Sequence, residues 1–198
     1  MTARIPPLLP PKEWPPEMRD ALAALRPPAA RHPLPVQGEG RPKALNALGT
    51  LARYPALTRA FHTFNGHVQF ATTLSLRQRE LLVLRVAAVR QAEYEWAQHV
   101  VQAGDAGLDD DEIARVAEGP DAPGWSPLER AMLRAVDELV ADAEIGDATW
   151  KALTDELDDR QLMDLVFTVG SYEVLAMAFK SFRIEMDDDL ANWKRPSP

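Results

Sequence analysis

The 198-residue chain is predicted to be all-α, on three observations. From Ala44 onward apolar residues recur at helical spacing, and no segment alternates with the period of two that marks a half-buried strand. Helix-start chemistry precedes those runs at Ser75, at Asp109 or Asp110, at Ser126 and at Asp158, each able to accept from a free N–H of a first turn. The length and the 46% apolar, 26% charged composition suit one globular domain with extensions.

Residues 1–43 read as an arm, residues 44–190 as the helical domain and residues 191–198 as a tail. The arm holds eleven of the seventeen prolines and seven Lys/Arg against four Asp/Glu, whereas the remainder is strongly acidic. Its one helical candidate is Pro16–Leu25, bracketed by proline pairs, with an irregular or polyproline-like passage on to Pro42. A basic, proline-rich arm on an acidic body is expected to lie as a strap over its own subunit or a neighbour.

Pro55 opens a predicted helix running to about Phe70, interrupted at Gly66. Ser75 caps the next, Leu76–Val89, which is apolar nearly all round and is therefore expected to be central. Glu93–Ala103 follows and stops at Gly104, then a short helix ends near Ala117, ahead of a loop over Gly119–Trp125. Ser126-Pro127-Leu128-Glu129 is a capping box with proline in the first turn, starting a helix to about Asp142. Asp147–Leu157, Arg160–Val169 and a last helix from Ser171 or Tyr172 to about Met186 complete the series.

Composition narrows function. A net charge of −8 without a dense Lys/Arg cluster argues against a nucleic-acid surface. No apolar run is expected to span a bilayer, and Met1–Pro11 lacks a signal-peptide pattern, so a cytoplasmic protein without membrane partners is predicted. Zero cysteines remove disulfides, thiolate metal sites, iron–sulfur clusters and thiol redox catalysis together.

Chemistry concentrates in Glu93-Tyr94-Glu95-Trp96-Ala97-Gln98-His99, with Glu80 one helix earlier. Glu95 and His99 stand four apart, so their side chains share a face, and a carboxylate beside an imidazole fixes its tautomer. An antiparallel hairpin through Arg90-Gln91-Ala92 would bring Glu80 to His99 as well. Glu93 also suits the helix start, where it complements the macrodipole. A solvated Glu–His pair, a core Trp96, a core Tyr94 and a surface ion-pair network of Glu80 with Arg77, Arg79 and Arg85 account for the same residues without chemistry. A metal is not expected: the HExxH and ExxH signatures are both missing, and His62 and His67 would have to approach His99 to complete a ligand set.

The segment resembles the carboxymuconolactone decarboxylase family, which shares its fold with the alkylhydroperoxidase-D proteins. Arg79-Glu80-Leu81-Leu82-Val83-Leu84-Arg85-Val86-Ala87, the Glu93-Tyr94-Glu95-Trp96-x-x-His99 block, Ala103-Gly104, Gly107-Leu108 and Asp111-Glu112-Ile113 carry the likeness. Trp125 to Ala131 and Leu162 to Tyr172 resemble the C-terminal half of longer members. The resemblance implies an alkylhydroperoxidase-D-like helical bundle around a central antiparallel hairpin, associating as dimer, trimer or hexamer with the site at or near a subunit contact. In the peroxidase branch a Cys-x-x-Cys pair precedes the histidine, with a glutamate relay upstream; those positions here are Ala92, Glu95, His99 and Glu80. Without sulfur neither sulfenic acid nor disulfide forms, which excludes peroxidase turnover by that route.

What the resemblance leaves is a cofactor-free, lyase-type acid–base enzyme for a small carboxylated lactone or related unsaturated or keto acid. Decarboxylation leaves an enolate that must be stabilised and protonated. His99 is then the expected proton donor, Glu95 its orienter and Glu80 the second acid–base group, with Tyr94, Trp96 and Glu93 lining the substrate and Arg53 or Arg85 holding its carboxylate. His99→Ala is expected to abolish turnover with the melting temperature nearly unchanged. The alternative is a non-catalytic oligomeric binding or assembly module on the same fold, which would leave Glu95 and His99 on an open solvated face.

Overall fold

Residues 2–33 and 41–190 are described in this computed structural model; the expected tail, and the part of the proline-rich passage over 34–40, lie outside them. Every regular element among the described residues is helical. They form two units.

Residues 2–72 and 177–190 make the first unit, with α1 (Met18–Ala23), α2 (Leu45–Leu51) and α3 (Pro55–Gly66). Proline starts α3 as expected, but Gly66 does not interrupt it: its backbone stays helical and the chain widens into a π-turn over His67–Ala71. The arm lies on this unit. Leu8 N–H donates to the Gly49 carbonyl at 2.9 Å, the Thr50 hydroxyl to Ile5 O, and Arg53 Nε to Pro6 O at 2.6 Å. Gly49 is required for that approach, because a Cβ there would sit 2.8 Å from Pro7 Cβ and from Leu8 O. Beneath, Met18, Ala21 and Ala52 form a small core with Leu8, Trp14, Leu22 and Leu48. His62 is buried and its Nδ1–H meets the Ala21 carbonyl at 2.9 Å; burial, against that hydrogen bond, holds its pKa down.

Thr73–Ala176 makes the second unit. It holds α4 (Leu76–Val89), α5 (Glu93–Asp105), α6 (Asp110–Glu118), α7 (Pro127–Asp142), α8 (Asp147–Thr154) and most of α9 (Asp159–Phe182). Three capping boxes start three of these helices: Ser75 with Gln78, Asp109 with Glu112, and Ser126 with Glu129. Each satisfies two orphan N–H groups, worth about 1 kcal/mol per cap. Asp158 and Gln161 make the same reciprocal pair ahead of α9.

α4 is central, as its all-round apolar sequence requires, and packs against α5, α6 and α7. Leu81, Leu82, Val83, Leu84 and Val86 are all fully buried. Leu84→Ala is expected to cost about 2–5 kcal/mol, read from the denaturation midpoint, because the removed methyl groups leave a cavity between helices. α4 turns into α5 through Gln91, which takes φ 51°, with Ala92 N–H bonded back to Ala87 O at 2.8 Å. This is the expected antiparallel hairpin.

α9 corrects one expectation. One helix was expected to end at about Val169 and another to begin at Ser171 or Tyr172, yet the helix runs unbroken through Gly170 from Asp159 to Phe182. Glycine costs about 1 kcal/mol inside a helix, whereas Leu162, Leu165 and Val169 before it and Tyr172 and Ala176 after it bury one continuous face. Burying even one such large side chain outweighs that cost. The Asp164 carboxylate anchors the same face, accepting from both the N–H and the hydroxyl of Thr73 at 2.6 Å.

Candidate active site

The α4–α5 hairpin puts Glu80 opposite His99. Ser75 sets the register of α4 so that Glu80 points inward, and Glu95 and His99 lie one turn apart on the inner face of α5. All three are buried: Glu80 is 0% exposed, Glu95 1% and His99 7%. An open solvated face, which a mere assembly module would present, is not what this chain has.

The Glu80 carboxylate is shared between His99 and Arg79. Its Oε2 lies 2.8 Å from His99 Nδ1, and its Oε1 accepts from Arg79 Nε at 2.9 Å and Arg79 Nη2 at 2.6 Å. Burial pushes the Glu80 pKa up, but the charges and hydrogen bonds of His99 and Arg79 together prevail and hold it below the usual carboxylate value. Glu80 is therefore ionised and can only accept, so His99 Nδ1 carries a proton and Nε2 is directed away from the pair.

Here the structure departs from the expected roles. Glu95 was assigned to orient His99; the orienting bond comes from Glu80 instead. Four-residue spacing brings two side chains to one face but does not bond them, and Glu80 reaches Nδ1 from the facing helix. Both Glu95 oxygens are buried without a hydrogen-bond partner among the described residues. Burial first, and the Glu173 carboxylate second, raise its pKa well above the usual value, so Glu95 is a neutral carboxylic acid.

Two residues on α9 join this group. The Tyr172 ring packs edge-on against His99, with centroids 4.9 Å apart and an interplanar angle of 87°. Its hydroxyl is fully buried and unpartnered, and its pKa is raised by burial and by the Glu80 charge, so it keeps its proton. Thr168, one turn earlier, also has a buried hydroxyl without a partner. A buried unpaired polar group costs about 1–3 kcal/mol; such groups concentrated around one histidine point to a ligand that would pair them. Neither residue was picked out from the sequence. Their i, i+4 spacing inside an apolar helix was the available signal, hidden by the helix end expected near Val169.

Tyr94 and Trp96 are buried, the latter with an unpartnered Nε1. Trp96 and the exposed Glu93 border a shallow surface dent at the hairpin turn with Ala87, Ala88, Gln91 and Ala92. The two substrate-carboxylate candidates are committed elsewhere. Arg85 grips Asp137 through Nε and Nη2 at 2.7 and 2.9 Å and gives Nη1 to the carbonyls of Val116 and Ala117, tying α4 to α7 and α6. Gly119, at φ +113°, passes this guanidinium so closely that a Cβ would lie 2.9 Å from Arg85 Nη2. Arg53 belongs to the other unit, where it holds the arm. His62 spends Nδ1 on a backbone carbonyl, and no group of three potential metal ligands stands together among the described residues.

Residues 55–138 match the model of the carboxymuconolactone decarboxylase family. Over that span the chain is similar to that family. No curated protein matches it. Among solved structures, a putative antioxidant defence protein AhpD of unknown function from Agrobacterium tumefaciens is 21% identical, covering 69% of this chain and 94% of its own, with TM-score 0.65. An uncharacterized peroxidase-related protein with an alkylhydroperoxidase AhpD core, from Ralstonia eutropha JMP134, is 19% identical over 82% of this chain and 95% of its own, TM-score 0.66. The debrominase Bmp8 is 11% identical over 93% of this chain and 92% of its own, TM-score 0.71. The fold is therefore alkylhydroperoxidase-D-like and all-helical. The matched segment contains Glu80, Glu95 and His99, whereas Thr168 and Tyr172 lie beyond it.

Proposed function

We propose that this chain is a cofactor-free acid–base enzyme that releases CO₂ from a small carboxylated lactone or related unsaturated or keto acid and protonates the enolate left behind. The observation that carries this reading is His99, held at Nδ1 by the buried, ionised Glu80, beside two buried protonated groups with nothing to bond: the Glu95 carboxylic acid and the Tyr172 hydroxyl. Donors that wait unpaired in a dry site are what an oxyanion requires, since they need no reorganisation when charge develops.

In the proposed reaction the carbon–carboxylate bond breaks, CO₂ leaves, and the electron pair passes to the adjacent carbonyl as an enolate oxygen. Glu95 and Tyr172 donate hydrogen bonds to that oxygen. His99, in its protonated form, gives its Nε2 proton to carbon and recovers one from solvent, while Glu80 holds the ring at both stages. Glu80 is thus a positioning residue, and Thr168 is a second hydroxyl on the Tyr172 face. A neighbour of the same fold, a cysteine-to-alanine variant of Bmp8, has been solved in complex with 2,3,4-tribromopyrrole. With no cysteine in this chain, acid–base chemistry is the reading its own residues support.

Tyr172→Phe tests the oxyanion role. Removing one such donor is expected to lower kcat by about 10²-fold, while stability holds or rises, because the deleted hydroxyl is buried and unpaired. CO₂ release from lactones, muconate-type acids and β-keto acids, alongside thermal melts, reads both. Unchanged kcat in Tyr172→Phe on an accepted substrate would refute the assignment.

A further inference from the structure

Thr168 takes no part in the acid–base steps, yet the residue is fully buried and its hydroxyl is unbonded. A helical threonine ordinarily folds its hydroxyl back onto the carbonyl three or four residues earlier. Thr58 does so at Tyr54 O, Thr63 at Arg59 O and Thr154 at Lys151 O. Thr50 and Thr149 find partners farther along the chain, Ile5 O and the Glu138 carboxylate. Among the described residues, Thr168 is the one helical threonine that leaves its hydroxyl unpaired. It stands one turn before Tyr172 on the buried face of α9, and side chains so spaced have Cβ atoms about 5–6 Å apart. One small molecule can therefore place an oxygen at each.

The charges around the site decide what kind of oxygen Thr168 receives. Arg79 is matched by Glu80 at 2.6 Å, and the Glu173 carboxylate, whose charge acts on Glu95, is held by Arg90 at 2.7 Å. Glu95 and Tyr172 keep their protons. These charges cancel in pairs, so protonated His99 leaves one net positive charge and the site matches one anionic group. That anion is the carboxylate lost as CO₂ and then the enolate that replaces it. A threonine hydroxyl donates or accepts a hydrogen bond but carries no charge. A second carboxylate at Thr168 would be buried without a counter-ion, which costs far more than one hydrogen bond returns.

We propose that Thr168 is a specificity-determining residue: its hydroxyl takes an uncharged oxygen of the substrate, from a carbonyl, ester or hydroxyl group, and the substrate carries a single carboxylate. The site then selects a monoacid with a second, neutral oxygen function and rejects diacids. This deepens the acid–base reading and rests on it for the anion held at His99, Glu95 and Tyr172. Selection of this kind follows from burial, because an analogue that lacks the second oxygen leaves the Thr168 hydroxyl unpaired in a dry site.

Isothermal titration calorimetry on the full chain tests this with three unreactive acids of one chain length: valerate, which ends in a methyl group, δ-hydroxyvalerate and glutarate. The wild type is expected to bind δ-hydroxyvalerate about tenfold more tightly than valerate, the margin of one buried hydrogen bond, and glutarate most weakly. Thr168→Val is expected to lose that margin while valerate binds unchanged or better, and Thr168→Ser to restore it. The melting temperature of Thr168→Val is expected to hold or rise, because an unpaired hydroxyl is removed. A merely structural role would lower it and weaken all three acids together. Unchanged selectivity in Thr168→Val, or no binding of any of the three, removes Thr168 from recognition. Glutarate binding as tightly as δ-hydroxyvalerate overturns the single carboxylate. CO₂ release keeps this apart from the reaction itself. Selective binding without turnover of any β-keto acid refutes the reaction alone, whereas turnover with KM unmoved by Thr168→Val refutes the recognition alone.

Discussion

Replacing His99 with alanine is expected to lower turnover by about 10²–10⁴-fold, the usual contribution of a positioned proton donor, and to lower the melting temperature as well. The second effect runs against the simpler expectation from sequence, where His99 could be deleted without cost. Glu80 is fully buried and divides its two oxygens between His99 and Arg79. Removing the imidazole leaves Oε2 of an ionised carboxylate without its partner, and breaking such an arrangement costs about 3–5 kcal/mol. His99→Asn separates chemistry from stability. Its amide N–H can replace Nδ1–H at Glu80, so the melting temperature should recover most of the loss, but an amide has no proton to give and turnover should stay low. Wild-type rates in His99→Asn would remove His99 from the reaction.

Glu95→Ala should cost about 10²–10³-fold in kcat, as expected for the loss of an oxyanion donor, and Glu95→Gln much less, since the amide still donates. The pH dependence is the sharper readout. Burial keeps the Glu95 carboxyl protonated in the folded protein, whereas in the unfolded chain it ionises from about pH 4.3 upward. The unfolded state therefore binds fewer protons over that window, so this group's stabilising contribution is complete below about pH 4 and declines as pH rises toward the folded-state value. Glu80 acts with the opposite sign: its lowered pKa supplies stability above the unfolded value, which is lost as pH falls through the folded one. Thermal melts of Glu95→Gln should lack the decline that the wild type shows at rising pH, and its rate profile should lose the alkaline fall caused by ionisation of Glu95. An alkaline limb that persists unchanged in Glu95→Gln would assign that titration elsewhere.

Local features were the most legible. The capping residues Ser75, Asp109, Ser126 and Asp158 act within one helical turn, so their reading needs nothing distant, and each forms its reciprocal bond. The hairpin followed from two apolar helices and a three-residue link. Long-range choices were not legible. Arg85 has the chemistry of a carboxylate clamp, but Asp137, fifty-two positions away, takes it. Arg53 is taken by the arm for the same reason: a guanidinium bonds whichever acceptor the fold brings nearest. The helix expected to end near Val169 runs on because the local cost of Gly170, about 1 kcal/mol, is weaker than the burial that carries α9 through it.

The sequence by itself determined the helical class, the cysteine-free chemistry and the presence of Glu80, Glu95 and His99 on two consecutive helices. These depend on periodicity and residue type, which are written along the chain. Only the tertiary structure decided which carboxylate is charged. Glu80 and Glu95 are the same residue, equally buried, yet one meets Arg79 and His99 while the other meets no partner and keeps its proton. The protonation state of a buried acid is set by what surrounds it in space, and only the fold brings those surroundings together.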